Sequence, residues 1–289
     1  MPPMPTRFDT LPASLRQRAR PITLAGVPAL VVHPDWERAA PLVLWMHGRT
    51  VDKELDPGRY QRWMRAGIAA CAIDLPGHGQ RGVPPRHEPH HSLGVMRDVL
   101  PEIDPLLDAL MAEFPGVFDP ARLGIGGMSL GGMVTLRRLC DPHPFAAAAV
   151  EATTGWLTEL YHPTLPDPPG RIPPVAHGAD VLRELDPALH LDGWRPIPLL
   201  VLHSESDRVV PWVGQREFVR RLRSRYASVG ADPALIETHT WASTGAPQEH
   251  AGFGRVAGAA KDAQTEFFRR ALGLSRNDQP PGGAGGRPS

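Results

Sequence analysis

Lysine is nearly absent from this chain. Only Lys53 and Lys261 occur, and arginine carries the rest of the basic charge. Together with abundant Pro, Gly and Ala this reads as a coding bias with no functional content. The 31 basic residues are matched by 31 acidic ones, so the formal net charge is zero. A neutral balance leaves no electrostatic footprint for nucleic acid or an anionic membrane, and neither is expected as a partner. Cysteine is scarce as well. Cys71 and Cys140 lie in apolar runs, where reduced core residues are expected rather than a disulfide. No apolar run is long enough to span a bilayer. The opening Met1-Pro2-Pro3-Met4-Pro5 lacks the apolar region of a secretory signal, so a soluble cytoplasmic protein is expected.

What remains is ample for a folded enzyme. Hydrophobic residues make up 42% of 289, enough for one large α/β core. Residues 1–20 are Pro-rich and then Arg-rich, an N-terminal extension with a helical turn or two around Ala13 to Arg20. Ile22 to Leu24 and Ala29 to Val32 suggest a hairpin about Gly26. Leu42 to Met46, Ile68 to Ile73, Leu123 to Gly126, Phe145 to Val150 and Pro198 to Leu202 are continuous apolar runs. Such runs suit strands buried on both faces of a parallel sheet. Helical spacing predicts helices over Pro57 to Gly67, Ser92 to Phe114 with a kink or a break into two pieces at Pro101 and Pro105, Ser129 to about Cys140, Val213 to Tyr226, and Glu249 to Leu272. Ala234 to Trp241 alternates as an edge strand would. Residues 21–272 therefore read as one domain. Within it, 151–196 breaks the rhythm, with short helical pieces at Trp156 to Tyr161 and Gly178 to Leu185 around a Pro-rich loop. That insert is a candidate lid, and a plain surface connection is the alternative. The tail, 273–289, is Gly/Pro-rich and expected to be disordered.

The chemistry gathers at Gly127-Met128-Ser129-Leu130-Gly131. An apolar strand runs into it and an apolar helix leaves it, which is the setting of a nucleophile elbow. A Gly-rich turn with a Ser helix cap has the same five letters. What favours the elbow is its company: His47, Asp74, Ser129, Glu151 and Asp207 all fall at the carboxyl ends of predicted strands, where open α/β sheets bind ligands. A dinucleotide fingerprint fails, because Gly124-x-Gly126 continues to Ser129.

These residues resemble the α/β-hydrolase superfamily over roughly residues 20–272. The likeness lies nearest small serine esterases of the carboxylesterase-like, dienelactone-hydrolase/prolyl-oligopeptidase-like branch. It rests on Trp45-Met46-His47-Gly48, Asp74-Leu75-Pro76-Gly77-His78-Gly79, and Gly127 to Gly132. It continues with Ser204-Glu205-Ser206-Asp207-Arg208-Val209-Val210-Pro211, where Ser204 replaces the usual Gly, and with His250 before the last helix. The resemblance implies an α/β-hydrolase fold, a mostly parallel sheet with helices on both faces and a small lid-like insert.

The resemblance also implies a catalytic triad. Ser129 would be nucleophile, His250 base and Asp207 the acid that orients it. The oxyanion would meet the backbone N–H groups of Leu130 and Arg49, with Gly48 allowing close approach. Rivals are Glu151 and Glu205 for the acid and His239 for the base. His47 is expected to hold the oxyanion loop, Asp74 to cap a turn, and His78 to pack a turn or line the site mouth. Trp156, Trp212 and Trp241 are candidates for an acyl pocket, with core or lid packing the alternative. The Arg49 side chain would meet a polar or acidic substrate group or lie in solvent. His87-Glu88-Pro89-His90-His91 has loose metal-ligand character but no second cluster, so neither metal nor cofactor is expected. The expected activity is cleavage of small or medium acyl esters by a monomer or homodimer. Acyl transfer, or thioester, lactone or peptide cleavage on the same triad, stays open, as does a non-catalytic binding protein that kept the fold.

Overall fold

Residues 7–166 and 168–275 are described by the structure, a computed structural model. A short helix, α1 (Ala13–Arg16), leads into a hairpin of β1 (Ala19–Leu24) and β2 (Val27–Val32). Its two-residue turn, Ala25-Gly26, has positive φ at both positions, the geometry that matches strand twist. Then follow β3 (Ala40–Met46), α2 (Pro57–Arg65), β4 (Ala69–Ile73), α3 (Ser92–Val99) and α4 (Ile103–Glu113). Next come β5 (Phe118–Met128), α5 (Leu130–Arg138), β6 (Ala147–Glu151), α6 (Leu157–Tyr161) and α7 (Ala179–Leu185). The chain closes with β7 (Leu199–Ser204), α8 (Trp212–Ser228), β8 (Ile236–Trp241) and α9 (Ala257–Ala271).

Eight strands form one sheet in the order β1-β2-β4-β3-β5-β6-β7-β8, with the β1–β2 and β2–β4 pairings antiparallel and the other five parallel. Every residue of β3, β4, β6 and β7 is buried, which is why these segments read as unbroken apolar runs. Period two divides each strand between two cores. In β3, Leu42, Leu44 and Met46 join residues of α3 to α8 on one face. Val43 and Trp45 join α1, α2 and α9 on the other. The fold is that of an α/β hydrolase, with helices on both faces of the sheet.

Several expectations shift in position. The stretch 1–20 is more than an extension: from Leu11 onward it buries Leu11 and Leu15 and opens β1 at Ala19. The first six residues lie outside the described residues. The helix over Ser92 to Phe114 is two helices joined by a 3-10 turn at Leu100–Glu102, since Pro101 has no N–H to continue the ladder. The last helix starts at Ala257 rather than Glu249. Residues 247–256 instead form two 3-10 turns with left-handed Gln248, Glu249 and Phe253. The tail expected to be disordered, 273–289, lies outside the described residues from 276 onward, and Leu274 is buried. Both cysteines are free and buried. Among the described residues no helix is long and apolar enough to cross a membrane.

Candidate active site

The turn after β5 sits at the centre of the sheet, between β3 and β6. Ser129 takes φ 52° and ψ −115°, a conformation that L residues adopt only when their surroundings enforce it. The enforcement is close packing. A Cβ on Gly127 would collide with the backbone of Gly131, and one on Gly131 with the Met46 carbonyl. Both glycines of the motif are therefore steric requirements. Ser129 N–H donates to the Glu151 carbonyl at 2.8 Å, and Gly131 N–H to the His47 carbonyl at 3.1 Å, so both flanking strands hold the elbow.

Asp207, on the loop after β7, is fully buried. Its Oδ1 accepts the N–H groups of Val209 and Val210, each at 2.8 Å. Its Oδ2 accepts Nδ1–H of His250 at 2.7 Å. With Nδ1 protonated, Nε2 is the acceptor, and the Ser129 hydroxyl donates to it at 2.9 Å. Three residues from three loops thus form a continuous proton path, which is the arrangement that activates a serine hydroxyl. Burial pushes the neighbouring His203 imidazole below its usual pKa. Neutral, it donates Nε2–H to the Val210 carbonyl at 2.8 Å and braces the loop that carries Asp207.

The rival acids and base lie elsewhere. Glu151 is held by Arg59 through two bonds, at 2.7 and 2.9 Å, and by Gln264 at 3.0 Å. Glu205 accepts from Thr240, and His239 lies on β8. His47 turns into the loop it was expected to hold. Its Nε2 accepts from Leu75 N–H at 3.1 Å and its Nδ1 donates to the Gly48 carbonyl at 2.6 Å. Burial lowers its pKa to about 4, which keeps it neutral and able to do both. Asp74 accepts from Lys53 N–H and Nζ and from Gln80 N–H, tying three loop segments together.

A cavity of about 710 Å³ opens over Ser129 and His250, floored by His47, Gly48 and Leu130. A Cβ on Gly48 would stand 3.4 Å from that of Ser129, so the loop carrying Arg49 does approach the nucleophile closely. Leu130 is the first residue of α5, and its N–H has no intrahelical acceptor. One wall is charged: Asp52, Asp56, Arg59, Glu151 and Lys261. The opposite wall is apolar: Leu160, Ile172, Pro173, Pro174, Val175 and Val209. The 151–196 insert thus contributes Leu160, Tyr161 and residues 172–175 to the cavity lining.

Three expected lining residues do not reach this cavity. His78 is fully buried beneath it, stacked on His87 at 4.5 Å, because the turn it closes folds inward. Trp156 lies under the Arg221 guanidinium at 3.8 Å, and Trp212 packs on His203 at 5.2 Å. Trp156 thus packs against α8, and Trp212, the first residue of α8, packs against the end of β7, and neither lines the cavity. Trp241, the further acyl-pocket candidate, packs on Phe253 at 5.3 Å.

Two features escaped the sequence reading. One is Arg59, whose partner Glu151 is 92 residues away and which no local spacing could link to it. The other is Glu249. Its carboxylate accepts from Ser204 Oγ, Ser243 Oγ, Thr244 N–H, Thr244 Oγ1 and Gly245 N–H, at 2.6–2.9 Å. It ties the histidine loop to the strand that precedes Asp207. Ser204, which stands where the resemblance leads one to expect Gly, was the available signal.

Comparison with known proteins establishes the family. The profile of the prolyl oligopeptidase family matches residues 55–273. The chain belongs to the prolyl oligopeptidase family. It is a hydrolase. Among curated relatives of this prolyl oligopeptidase family member, esterase YjfP of Escherichia coli (strain K12) is 26% identical over 257 residues, covering 86% of this chain and 97% of the relative. Among solved structures, TT1662 from Thermus thermophilus superposes with a TM-score of 0.65 at 22% identity, covering 89% of this chain and 99% of that one. Pyrococcus horikoshii acylaminoacyl peptidase superposes with a TM-score of 0.69 at 17% identity, and the chain spans only 42% of its length. At these identities the two structures speak for the fold alone.

Proposed function

We propose that this protein is a serine carboxylesterase acting on small or medium acyl esters through an acyl-enzyme. The observation that carries the reading is the hydrogen-bonded line from Asp207 through His250 to Ser129, opening into a cavity of about 710 Å³. Ser129 Oγ adds to the ester carbonyl carbon while His250 Nε2 takes its proton. The negative charge on the carbonyl oxygen meets the N–H groups of Leu130 and Arg49, each such donor typically worth about 3–4 kcal/mol of barrier. The intermediate collapses, the C–O bond to the alcohol breaks, and the leaving oxygen takes the proton from His250. Water then repeats the sequence on the acyl-enzyme, releasing the carboxylic acid and restoring Ser129. Asp207 keeps Nδ1 protonated and stabilises the imidazolium in both halves.

Family membership favours a second reading, peptide cleavage by the same residues. The esterase reading is preferred because the relative that this chain spans almost end to end bears an esterase name. Hydrolysis of 4-nitrophenyl acetate and butyrate, set against aminoacyl 4-nitroanilides, separates the two. The Ser129→Ala protein should lose ester turnover and labelling by a fluorophosphonate probe. Turnover equal to wild type in that variant overturns the mechanism. Anilide cleavage without ester cleavage moves the assignment to peptidase.

A further inference from the structure

The charges on the cavity wall do not all cancel. Asp52 pairs with Arg7 at 3.3 Å. Asp56 pairs with Arg59 at 3.0 Å and Lys261 at 2.9 Å, and Glu151 pairs with Arg59 at 2.7 Å. Every carboxylate of the wall has a cation, and Arg59 and Lys261 each have a carboxylate. Arg49 has none. Among the described residues its guanidinium makes one hydrogen bond, from Nη1 to the backbone carbonyl of His87 at 2.7 Å, and no ion pair. Arg49 is half-buried and lines the cavity one residue beyond Gly48. A guanidinium carries five N–H donors in a planar fork, so most of its capacity is unspent.

Its neighbours have the same character. The Tyr161 phenol feels both the Arg49 charge and Ser92, and burial pushes its pKa up to about 12, so it stays a neutral O–H donor. Tyr161 and Ser92 line the cavity beside Arg49. Among the described residues no carboxylate lies within ion-pair distance of Arg49. A partly desolvated cation with two hydroxyl groups beside it is complementary to an anion and poorly matched to an alkyl chain.

We propose that Arg49, with Tyr161 and Ser92, forms a carboxylate-binding subsite, so that the preferred substrates are esters bearing a second, free carboxylate. This rests on the esterase reading and goes further by naming the substrate class. The carboxylate can belong to the acyl part, as in a half-ester of a dicarboxylic acid, or to the alcohol part. The same guanidinium would hold either.

Monoethyl glutarate and monoethyl adipate, with ethyl valerate and ethyl hexanoate as neutral partners, test the acyl side by pH-stat titration. Butyryl esters of 3-hydroxybenzoate and 3-methylphenol test the alcohol side. The wild-type protein should favour the charged member of at least one pair in kcat/KM. Arg49→Gln should lower that charged-to-neutral ratio by about 10- to 100-fold, the range for hydrogen bonds to a charged group. Arg49→Lys should restore part of it. The neutral ester carries whatever the substitution costs the loop beside the nucleophile, so the ratio reads the guanidinium alone. Calorimetry of glutarate binding to the Ser129→Ala protein gives a readout without turnover. Binding should weaken with added salt and be lost in the Ser129→Ala/Arg49→Gln protein. A ratio unchanged by Arg49→Gln, or glutarate binding indifferent to it, overturns the subsite and leaves the esterase reading intact. Failure to hydrolyse any ester while glutarate binding still depends on Arg49 overturns the esterase reading and leaves the subsite.

Discussion

Replacing Glu249 by Ala removes an anchor, and the structure sets the size of the effect. Three of its five donors, Ser204 Oγ–H, Thr244 N–H and Thr244 Oγ1–H, belong to residues only 1% exposed. A buried donor left unmet costs about 1–3 kcal/mol, whereas the exposed Ser243 and Gly245 return to water. The anchored loop also holds Gln248 at φ 51° and Glu249 at φ 57°, left-handed conformations that side chains resist. Each such residue stores of order 1–3 kcal/mol, which is released once the loop is free to relax. If about 2–4 kcal/mol separates the relaxed loop from the one that places His250, kcat falls by about 30- to 1,000-fold. KM should change little, because Glu249 is absent from the cavity lining. Ser204→Ala deletes one of the five bonds and should cost about fivefold, from a net hydrogen-bond contribution near 1 kcal/mol. Glu249→Gln, which keeps one acceptor oxygen, should fall between the two. Steady-state kinetics on a 4-nitrophenyl ester, with circular dichroism to establish folding, measure the series. A folded Glu249→Ala protein with kcat within twofold of wild type would refute the reasoning.

The remaining predictions concern stability, pH and the insert. Glu151→Ala leaves the Arg59 guanidinium, 5% exposed, with Asp56 as its one carboxylate and Gln264 Oε1 as a neutral acceptor, and should cost about 3 kcal/mol in urea unfolding, the low end for a broken buried pair. The double change Arg59→Met/Glu151→Leu should cost less, and equal or larger loss in the double variant contradicts the pairing argument. Burial lowers both His47 and His78 to about 4 in the fold, from a usual 6.5. The unfolded chain therefore binds more protons between those values, and stability falls as pH drops from about 6.5 to 4, by up to about 1.4 kcal/mol per unit for each residue. Unfolding free energies that are flat across that window would exclude it. Glu249, whose pKa is lowered to about 2 chiefly by the Thr244 N–H, adds a further loss as pH falls from its usual 4.5 towards 2. Ile172 and Val175 line the cavity yet are 45% and 37% exposed. Ile172→Asp/Val175→Asp should reduce kcat/KM for octanoyl relative to acetyl esters by about tenfold, from the apolar contact removed, with unfolding free energy within about 0.5 kcal/mol of wild type. An unchanged chain-length profile returns the insert to a plain connection.

The strands were legible because each of these physical signals is local. A parallel strand covered on both faces must be apolar at every position, and β3, β4, β6 and β7 are. The elbow was legible because its two glycines are demanded by contacts with its own turn and with the neighbouring strand. Tryptophan was misleading. Trp156 and Trp212 are apolar residues near site segments, but proximity in sequence says nothing about which side of a short helix faces the cavity. The final helix was extended too far because Glu249 to Val256 carries no proline or apolar gap. Left-handed backbone at Gln248 and Glu249 is imposed by bonds to residues on other segments.

The sequence by itself determined the strands and the elbow, since each depends on a periodicity or a turn within a few residues, while Asp207 and His250 came from the resemblance to α/β hydrolases and meet Ser129 only in the fold. Tertiary structure alone decided which charges cancel. Glu151 looked like a candidate acid until Arg59 closed on it, and Arg49, which the sequence left between a substrate contact and solvent, stood apart only once every carboxylate of the cavity wall proved to be taken. Coulomb pairing acts over a few ångströms of space without regard to separation along the chain, so only the folded arrangement reveals it.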